Sequence, residues 1–266
     1  MNKNIKLIIK KVVIYFFNSI YKQRIFKRIN NTSLDELQDN RLFEPELLLL
    51  DKFISKGDVV FDVGANVGEY TFVFEKLTGA ENVYSFEPIL KLFSNLKKVF
   101  LKVNLFQIAL TKNNVVSSEF KIPKIGNNKY ETRGKLDLNI VEPGETNYNL
   151  VKVSCDSIDN FVKSNKLKII HFIKIDVEGH EFDVIKGGKN AIEKFRPVLL
   201  VEIEQRHHDY DINKIFNYLS PYYTKIEYFD LRLKRFKSIK EFNSLEMQDY
   251  SNIKTKNYVN NFWFYN

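Results

Sequence analysis

The sequence predicts an α/β protein with a doubly wound, mostly parallel sheet and helices on both faces. Short apolar runs alternate with segments of helical periodicity over most of the 266 residues, which is typical of βα units. The run at residues 59–61 breaks into a turn with Gly64 and Gly68, and a helical pattern follows at once. Such a turn lets a ligand approach the backbone with the helix N-terminus behind it.

Each element follows from the local pattern. Short runs of apolar, β-branched or aromatic residues predict strands at 59–61, 83–86, 105–110, 118–122, 151–155, 169–175, 198–203, 225–229 and 262–265. Stretches with helical spacing of apolar residues predict helices at 44–55, 69–77, 90–100, 157–163, 182–195 and 212–219. Residues 113–150 lose the alternation and contain three glycines and two prolines, so we predict an insertion of loops or hairpins over the site.

The net charge of +8 comes from the N-terminal segment. Residues 1–30 hold eight of the 41 Lys and Arg and none of the 33 acidic residues, which leaves 33 of each in the rest of the chain. A nucleic-acid enzyme would more often spread basic charge around its cleft, so the sequence predicts no nucleic-acid partner. The longest uncharged run, residues 12–21, is about half a bilayer span, and no small-residue cleavage site follows it, so the segment is a poor signal peptide.

We predict two parts, a basic amphipathic helical extension at residues 1–40 and one domain at 41–266. The sequence leaves two alternatives open for this extension. It packs on the domain or on a second subunit of a homo-oligomer, or its residues 1–30 lie on an anionic membrane surface. Cys155 is the only cysteine, which excludes an internal disulfide and predicts a reducing, cytoplasmic compartment. If residues 1–30 bind a membrane, the protein would lie at its inner face. The abundance of Lys, Asn, Ile and Phe suggests an AT-rich, bacterial genome.

Ligands of doubly wound sheets bind beyond the carboxyl ends of the strands, which selects the first candidate residues. The spacing from Gly64 to Gly68 differs from the NAD fingerprint, and a carboxylate at Asp62 suits the ammonium of S-adenosylmethionine (SAM) better than a pyrophosphate. Glu87 lies 25 residues after Asp62, near the position at which an acidic residue binds both ribose hydroxyls. The alternative is an acid that precedes a helix beginning at Pro88.

A second group of ionisable residues follows the later strands. Glu202 lies inside an apolar run, where a carboxylate is costly unless it is paired or bound to a ligand. Four ionisable side chains fall within six residues after the run at 169–175: Asp176, Glu178, His180 and Glu181. They indicate a site or, alternatively, the charges that favour a helix N-terminus.

Four segments resemble the FkbM-type SAM-dependent methyltransferases: VFDVGANVGEYT, SFEP, IKIDVEGHE followed by VIKGG, and PVLLVEIEQRH. The resemblance extends from about residue 40 to 266 and implies a Rossmann-like class I methyltransferase fold that methylates hydroxyl groups, commonly of sugars. It implies that the cofactor-binding residues are Asp62, Gly64, Ala65, Asn66, Gly68, Glu87 and Pro88. It also places Asp176, Glu178 and Glu181 in the acidic motif of the family.

A sugar hydroxyl is a weak acid, so methyl transfer needs a group that takes up or stabilises its proton, besides good positioning of the reactants. A histidine can act as the general base, and we favour His180 over His207 and His208, which also follow strand ends. Asp176 and Glu178 are further catalytic candidates. Alternatively, Mg²⁺ or Mn²⁺ lowers the pKa of the hydroxyl, held by Asp176 and Glu202 at the ends of adjacent strands.

We therefore predict a SAM-dependent O-methyltransferase. Its acceptor would be a nucleotide-linked sugar or a precursor of a surface polysaccharide or glycolipid. One alternative is a non-catalytic nucleoside-binding scaffold in a membrane-associated glycan assembly. Another is an NAD-linked enzyme, which the missing fingerprint disfavours.

Overall fold

The computed structural model describes residues 44–266 except 114, 127 and 254, together with residues 20, 24, 27 and 29. The strands in this part of the chain are β1 Val60–Val63, β2 Val83–Phe86, β3 Asn104–Phe106, β4 Ala109–Leu110, β5 Ser117–Ile125, β6 Asn128–Lys129, β7 Glu145–Asp156, β8 Phe172–Ile175, β9 Val198–Glu202, β10 Lys225–Asp230, β11 Arg235–Ser238 and β12 Asn261–Tyr265. The α-helices are α1 Glu69–Thr78, α2 Leu90–Val99, α3 Ile158–Ser164, α4 Glu181–Gly187, α5 Lys189–Phe195, α6 Asn213–Leu219 and α7 Ser244–Met247.

Eight strands form one sheet in the order β11-β10-β12-β9-β8-β1-β2-β3. The five strands β3, β2, β1, β8 and β9 run parallel, whereas β12 is antiparallel to both of its neighbours. Val60 belongs to the core cluster under α1 and α2, and Phe61 to the cluster under α3 to α6. Both faces are therefore covered, as alternation along a buried strand requires. This architecture confirms the predicted doubly wound, mostly parallel sheet with helices on both faces.

Residues 113–150, predicted as loops or hairpins, contribute most of a second, four-stranded sheet in the order β4-β7-β5-β6. Two of its lysines are buried with acidic partners. Lys121 Nζ lies 2.9 Å from Glu145 Oε1, and Lys135 pairs with Glu142. Loss of either carboxylate would leave a buried charge unpaired, at a cost of about 3–5 kcal/mol, so these pairs help to fix the insertion against the domain.

The prediction of a single helix at residues 44–55 is wrong. The structure has two short 3-10 helices instead, Pro45–Leu48 and Leu50–Lys52. An amphipathic helix buries one face, which would leave part of the four-leucine run at 47–50 exposed. The break at Leu49 allows Leu47, Leu49 and Leu50 all to be buried.

Three other differences have local causes. The helix predicted at 182–195 is divided at Gly188 into α4 and α5, and glycine is about 1 kcal/mol less favourable than alanine inside a helix. The strand predicted at 105–110 is divided into β3 and β4, which join different sheets. The edge strand β11 was missed because its sequence, RFKS, has no clear alternation of apolar residues.

The amphipathic extension predicted at residues 1–40 falls largely outside the described residues. Its four described positions are helical; Arg24 and Lys27 are exposed, whereas Ile29 is buried in the core cluster that contains Val60. Membrane contact through residues 1–30 stays a prediction, as does a homo-oligomer. None of the described helices combines the length and apolar character that a bilayer crossing needs.

Candidate active site

A cavity opens at the carboxyl ends of β1, β2 and β8, the edge at which doubly wound sheets bind ligands. The space between its walls, including open solvent at its mouth, amounts to about 570 Å³. Its walls come from the turn after β1, the chain after β2, residues 108–110 and the loop after β8. The insertion contributes Phe120, Thr132, Gly134 and Leu136.

The turn after β1 brings the backbone against the loop that follows β8. Gly64 has a left-handed φ of +86°, and a Cβ at this position would lie 1.8 Å from the carbonyl oxygen of Asp176. Glycine therefore satisfies both the backbone conformation and the close contact. Asn66 lines the cavity, and its Oδ1 atom is buried without a hydrogen-bond partner among the described residues. A buried acceptor of this kind suits a donor on a ligand.

Glu87 connects this turn to the chain after β2. Its carboxylate accepts the backbone N–H of Asn66 at 2.9 Å and that of Ile89 at 2.8 Å. Burial raises the pKa of Glu87 to about 7, although both hydrogen bonds oppose the shift. Each carboxylate oxygen has a second lone pair, so Glu87 can also accept hydrogen bonds from a ligand in the cavity, which it lines together with Pro88.

Three residues predicted to bind the cofactor do not line the cavity: Asp62, Ala65 and Gly68. Asp62 is 2% exposed and accepts a hydrogen bond from the Thr71 hydroxyl at 2.5 Å. The Thr71 hydroxyl also lies 2.8 Å from Ser85 Oγ. Burial raises the pKa of Asp62 to about 6, and the bond from Thr71 opposes this. The geometry therefore favours a role for Asp62 in holding the turn over direct contact with a ligand.

Asp176 belongs both to the cavity wall and to a carboxylate cluster formed by Glu44, Asp176 and Glu202. One carboxylate oxygen from each of these residues lies within 4.8 Å of the other two. The parallel pairing of β8 and β9 places Asp176 and Glu202 side by side, as the sequence predicts. Glu44 joins them from the segment before the first 3-10 helix, and its Oε2 atom accepts a hydrogen bond from the Tyr70 hydroxyl at 2.6 Å.

The buried ammonium of Lys174 partly neutralises the carboxylate cluster. Lys174 Nζ lies 3.7 Å from Glu44 Oε2 and 3.9 Å from Asp176 Oδ2. Burial alone would lower the pKa of Lys174, but the carboxylates, Glu44 first, raise it above its usual range.

The ionisation of Glu202 depends on that of Asp176. Burial and the charge of Asp176 hold the pKa of Glu202 well above its usual range, and the two side chains are hydrogen-bonded. Burial also raises the pKa of Asp176, but Lys174 and the bond from Glu202 lower it. The pKa of Glu202 is raised further than that of Asp176, so Asp176 is the carboxyl of this pair that gives up its proton first.

Glu178 also lines the cavity and faces His207. His207 Nε2 lies 3.7 Å from Glu178 Oε2 and 3.8 Å from Glu142 Oε1. Burial lowers the pKa of His207 to about 4 and raises that of Glu178 to about 8, so both side chains are neutral at pH 7. Glu142 pairs with Lys135 and lies 3.8 Å from Arg206 Nη1, and these cations disfavour a metal ion between the three side chains.

His180 is the histidine that the sequence favours as the base, and this role stays a prediction. Its Nε2 atom lies 2.7 Å from Thr111 Oγ1 and 4.0 Å from Asp183 Oδ2. Burial lowers its pKa. His180 immediately precedes α4 and does not belong to the cavity wall, whereas His207 contacts a residue that does.

Two residues of the site, Glu44 and Glu142, were not among the sequence candidates. Glu44 lies before the first strand, and Glu142 lies in the insertion, so the rule that strand ends form the site does not select either of them.

Comparison with known proteins gives one family match and several relatives. Residues 62–229 match the family described as methyltransferase FkbM domain. Over 188 residues, the chain is 25% identical to the hexuronic acid methyltransferase AglP of Haloferax volcanii, covering 68% of this chain and 70% of that protein.

Two solved structures resemble the chain with low sequence identity. The methyltransferase FkbM from Methylobacillus flagellatus KT is 19% identical to this chain, and the two structures have a TM-score of 0.48. The match covers 80% of this chain but only 44% of the other one. A TehB-like SAM-dependent methyltransferase from Corynebacterium glutamicum is 10% identical with a TM-score of 0.42, over 94% of this chain and 98% of that one.

Proposed function

The chain belongs to the FkbM family of SAM-dependent methyltransferases, and we propose that its acceptor is a hydroxyl group of a carbohydrate. The position of Asp176, in both the cavity wall and the carboxylate cluster, carries this proposal. A methyl donor in the cavity and a hydroxyl bound by carboxylates would meet at this residue. The relative from Haloferax is named a hexuronic acid methyltransferase, which supports a sugar as the acceptor.

The cavity residues fit SAM. Glu87 offers acceptor atoms for ribose hydroxyls, and the unpaired Oδ1 of Asn66 offers a further acceptor. Ile108 and Leu110 provide apolar wall that suits a planar base, and the missing Cβ of Gly64 lets the turn approach Asp176. When bound, SAM supplies a methyl group on a positively charged sulfur.

Asp176 is the best placed group to receive the proton of the acceptor hydroxyl. It gives up its proton more readily than Glu202, because Lys174 opposes the effect of burial on its pKa, and it lines the cavity. Glu178 is protonated at neutral pH and can donate a hydrogen bond to another oxygen of the acceptor. We therefore prefer Asp176 to His180 as the base, since His180 is engaged with Thr111.

Mg²⁺ or Mn²⁺ remains the second route to an activated hydroxyl. The carboxylate cluster offers an oxygen ligand set that suits either ion, and a divalent ion would take the place of the proton on Glu202. The ammonium of Lys174, 3.7 Å from Glu44, works against this ion. The routes differ at Glu202, which is a hydrogen-bond donor in one and an oxygen ligand in the other.

We expect Glu202→Gln to keep most of the wild-type kcat, because a glutamine amide can donate to Asp176 as the protonated carboxyl does. EDTA should leave the activity unchanged. The measurement is kcat with a sugar acceptor, with EDTA and with added Mn²⁺. Glu241→Gln, which alters a surface pair with Lys237, is the matched control. Inactivation by EDTA with rescue by Mn²⁺, together with loss of activity in Glu202→Gln, would establish the metal route instead.

Glu87→Gln should weaken SAM binding about 5- to 150-fold, because the amide removes one acceptor oxygen and a buried donor left without a partner costs about 1–3 kcal/mol. The glutamine keeps the size of the side chain but only one of the two oxygens that accept the backbone N–H groups of Asn66 and Ile89. Calorimetric titration with SAM and S-adenosylhomocysteine measures the change, and Glu193→Gln on the exposed face of α5 is the control. Unchanged affinity in a folded Glu87→Gln protein would remove Glu87 from the cofactor site.

The proposed function is tested with a panel of nucleotide sugars and simple glycosides. Release of S-adenosylhomocysteine and a mass increase of one methyl group on the sugar would support it. Tight SAM binding with no methylated sugar across the panel would contradict it and favour the alternative of a nucleoside-binding scaffold.

A further inference from the structure

The side chains that a bound acceptor would meet beside Asp176 are carboxylates, and the nearby ammonium groups lie behind them. The side chains of Glu44, Asp176 and Glu178 are 34%, 26% and 25% exposed. Those of Lys174 and Lys135 are 1% and 0% exposed. A ligand that enters this region therefore meets hydrogen-bond acceptors before it meets a cation.

The partly exposed cations on the Glu178 side are already paired. Arg133 Nη1 and Arg206 Nη1 lie 3.7 and 3.8 Å from Glu142 Oε2. Arg206 Nε also donates to Glu204, which accepts the hydroxyl of Tyr258 at 2.7 Å. A carboxylate of the acceptor would therefore have to compete with Glu142 for both guanidinium groups.

Resting on the proposed function, we infer that the acceptor is a neutral or amino sugar with no acidic group on the methylated ring. Ring hydroxyl and ammonium groups donate hydrogen bonds that Glu44 and Asp176 can accept. The three carboxyl groups of the cluster face the single buried ammonium of Lys174, so a uronate would add a like charge to a site rich in carboxylates. In this respect the chain would differ from its relative that is named for hexuronic acid.

The test compares sugars that differ at one ring substituent. UDP-glucose is paired with UDP-glucuronic acid, and UDP-galactose with UDP-galacturonic acid; the 4-nitrophenyl glycosides of glucose, glucosamine and glucuronic acid form a set without the nucleotide. Two quantities are measured, kcat/KM for methyl transfer and the Kd of each sugar in the complex with S-adenosylhomocysteine. We expect neutral and amino sugars to exceed the matching uronates by at least about tenfold in both.

Equal or better binding and turnover of the uronates would overturn the inference and leave carbohydrate methylation standing. Methylation of no sugar in the panel would instead overturn the proposed function, and the inference with it.

Glu44→Gln tests the physical cause. It removes one negative charge and keeps an oxygen that can accept from Tyr70 and Asn261. We expect the discrimination against uronates to fall severalfold, whereas Glu241→Gln should leave it unchanged. An unaltered ratio in a folded Glu44→Gln protein would show that the carboxylate cluster does not set the preference.

Discussion

Gly64→Ala should abolish SAM binding and lower the free energy of unfolding by about 2–5 kcal/mol. Two costs add. The left-handed φ of +86° is unfavourable by about 1–2 kcal/mol for a residue with a Cβ. That Cβ would also lie 1.8 Å from the carbonyl oxygen of Asp176, and overpacking of this kind costs about 1–3 kcal/mol or more. Relief of the clash must move the turn or the loop after β8, and both line the cavity.

Gly57→Ala separates these two costs. Gly57 has nearly the same φ, +89°, but a Cβ there meets no described atom within 4 Å. The Gly57→Ala variant should lose only about 1–2 kcal/mol of stability and bind SAM with the affinity of the wild type. Urea denaturation and calorimetric titration of both variants provide the comparison. If Gly64→Ala matched Gly57→Ala in stability and affinity, the close approach of the turn to Asp176 would not be a requirement of the site.

The sequence predicts the centre of the sheet better than its periphery. β1, β2, β8 and β9 are buried on both faces, so their apolar runs identify them without knowledge of their neighbours. The edge strand β11 and the segment before β1 depend on what packs against them. At the leucines of residues 47–50, burial of Leu47, Leu49 and Leu50 overrides the helical pattern, which the local sequence could not reveal.

In the candidate site, too, the residues at the ends of central strands could be predicted from the sequence and those on irregular segments could not. Asp176 and Glu202 could be paired from the sequence because each ends, or directly follows, one of two adjacent parallel strands. Glu44 and Glu142 could not, since their positions depend on irregular segments that fold back over the sheet. His180 was favoured because it follows a strand. The left-handed backbone of Glu178 and Gly179, with φ of +53° and +97°, turns the chain before His180, which contacts Thr111 instead.

Asp176→Asn should reduce kcat by about 10²–10⁴-fold, the usual contribution of a general base. The amide cannot accept the hydroxyl proton. SAM affinity should change little, because the substitution keeps the size of the side chain and leaves intact the backbone hydrogen bond from Asp176 N to Val63 O, 3.0 Å. Single-turnover transfer and calorimetric titration measure the two effects separately. Asp183→Asn, at a carboxylate that pairs with Lys186 on α4, is the matched control and should retain activity.

The pH profile distinguishes a base from a residue that only supports the site. Burial raises the pKa of Asp176 above the ordinary aspartate value of 3.8, with Lys174 in opposition. A base works deprotonated, so kcat should be full above this pKa and fall as the pH drops through it, at a higher pH than for an exposed aspartate. Asp176→Asn should remove this acidic limb together with the activity. If Asp176→Asn kept substantial turnover with the limb unchanged, the proton acceptor would be another group, and Glu178 beside His207 would be the next to test.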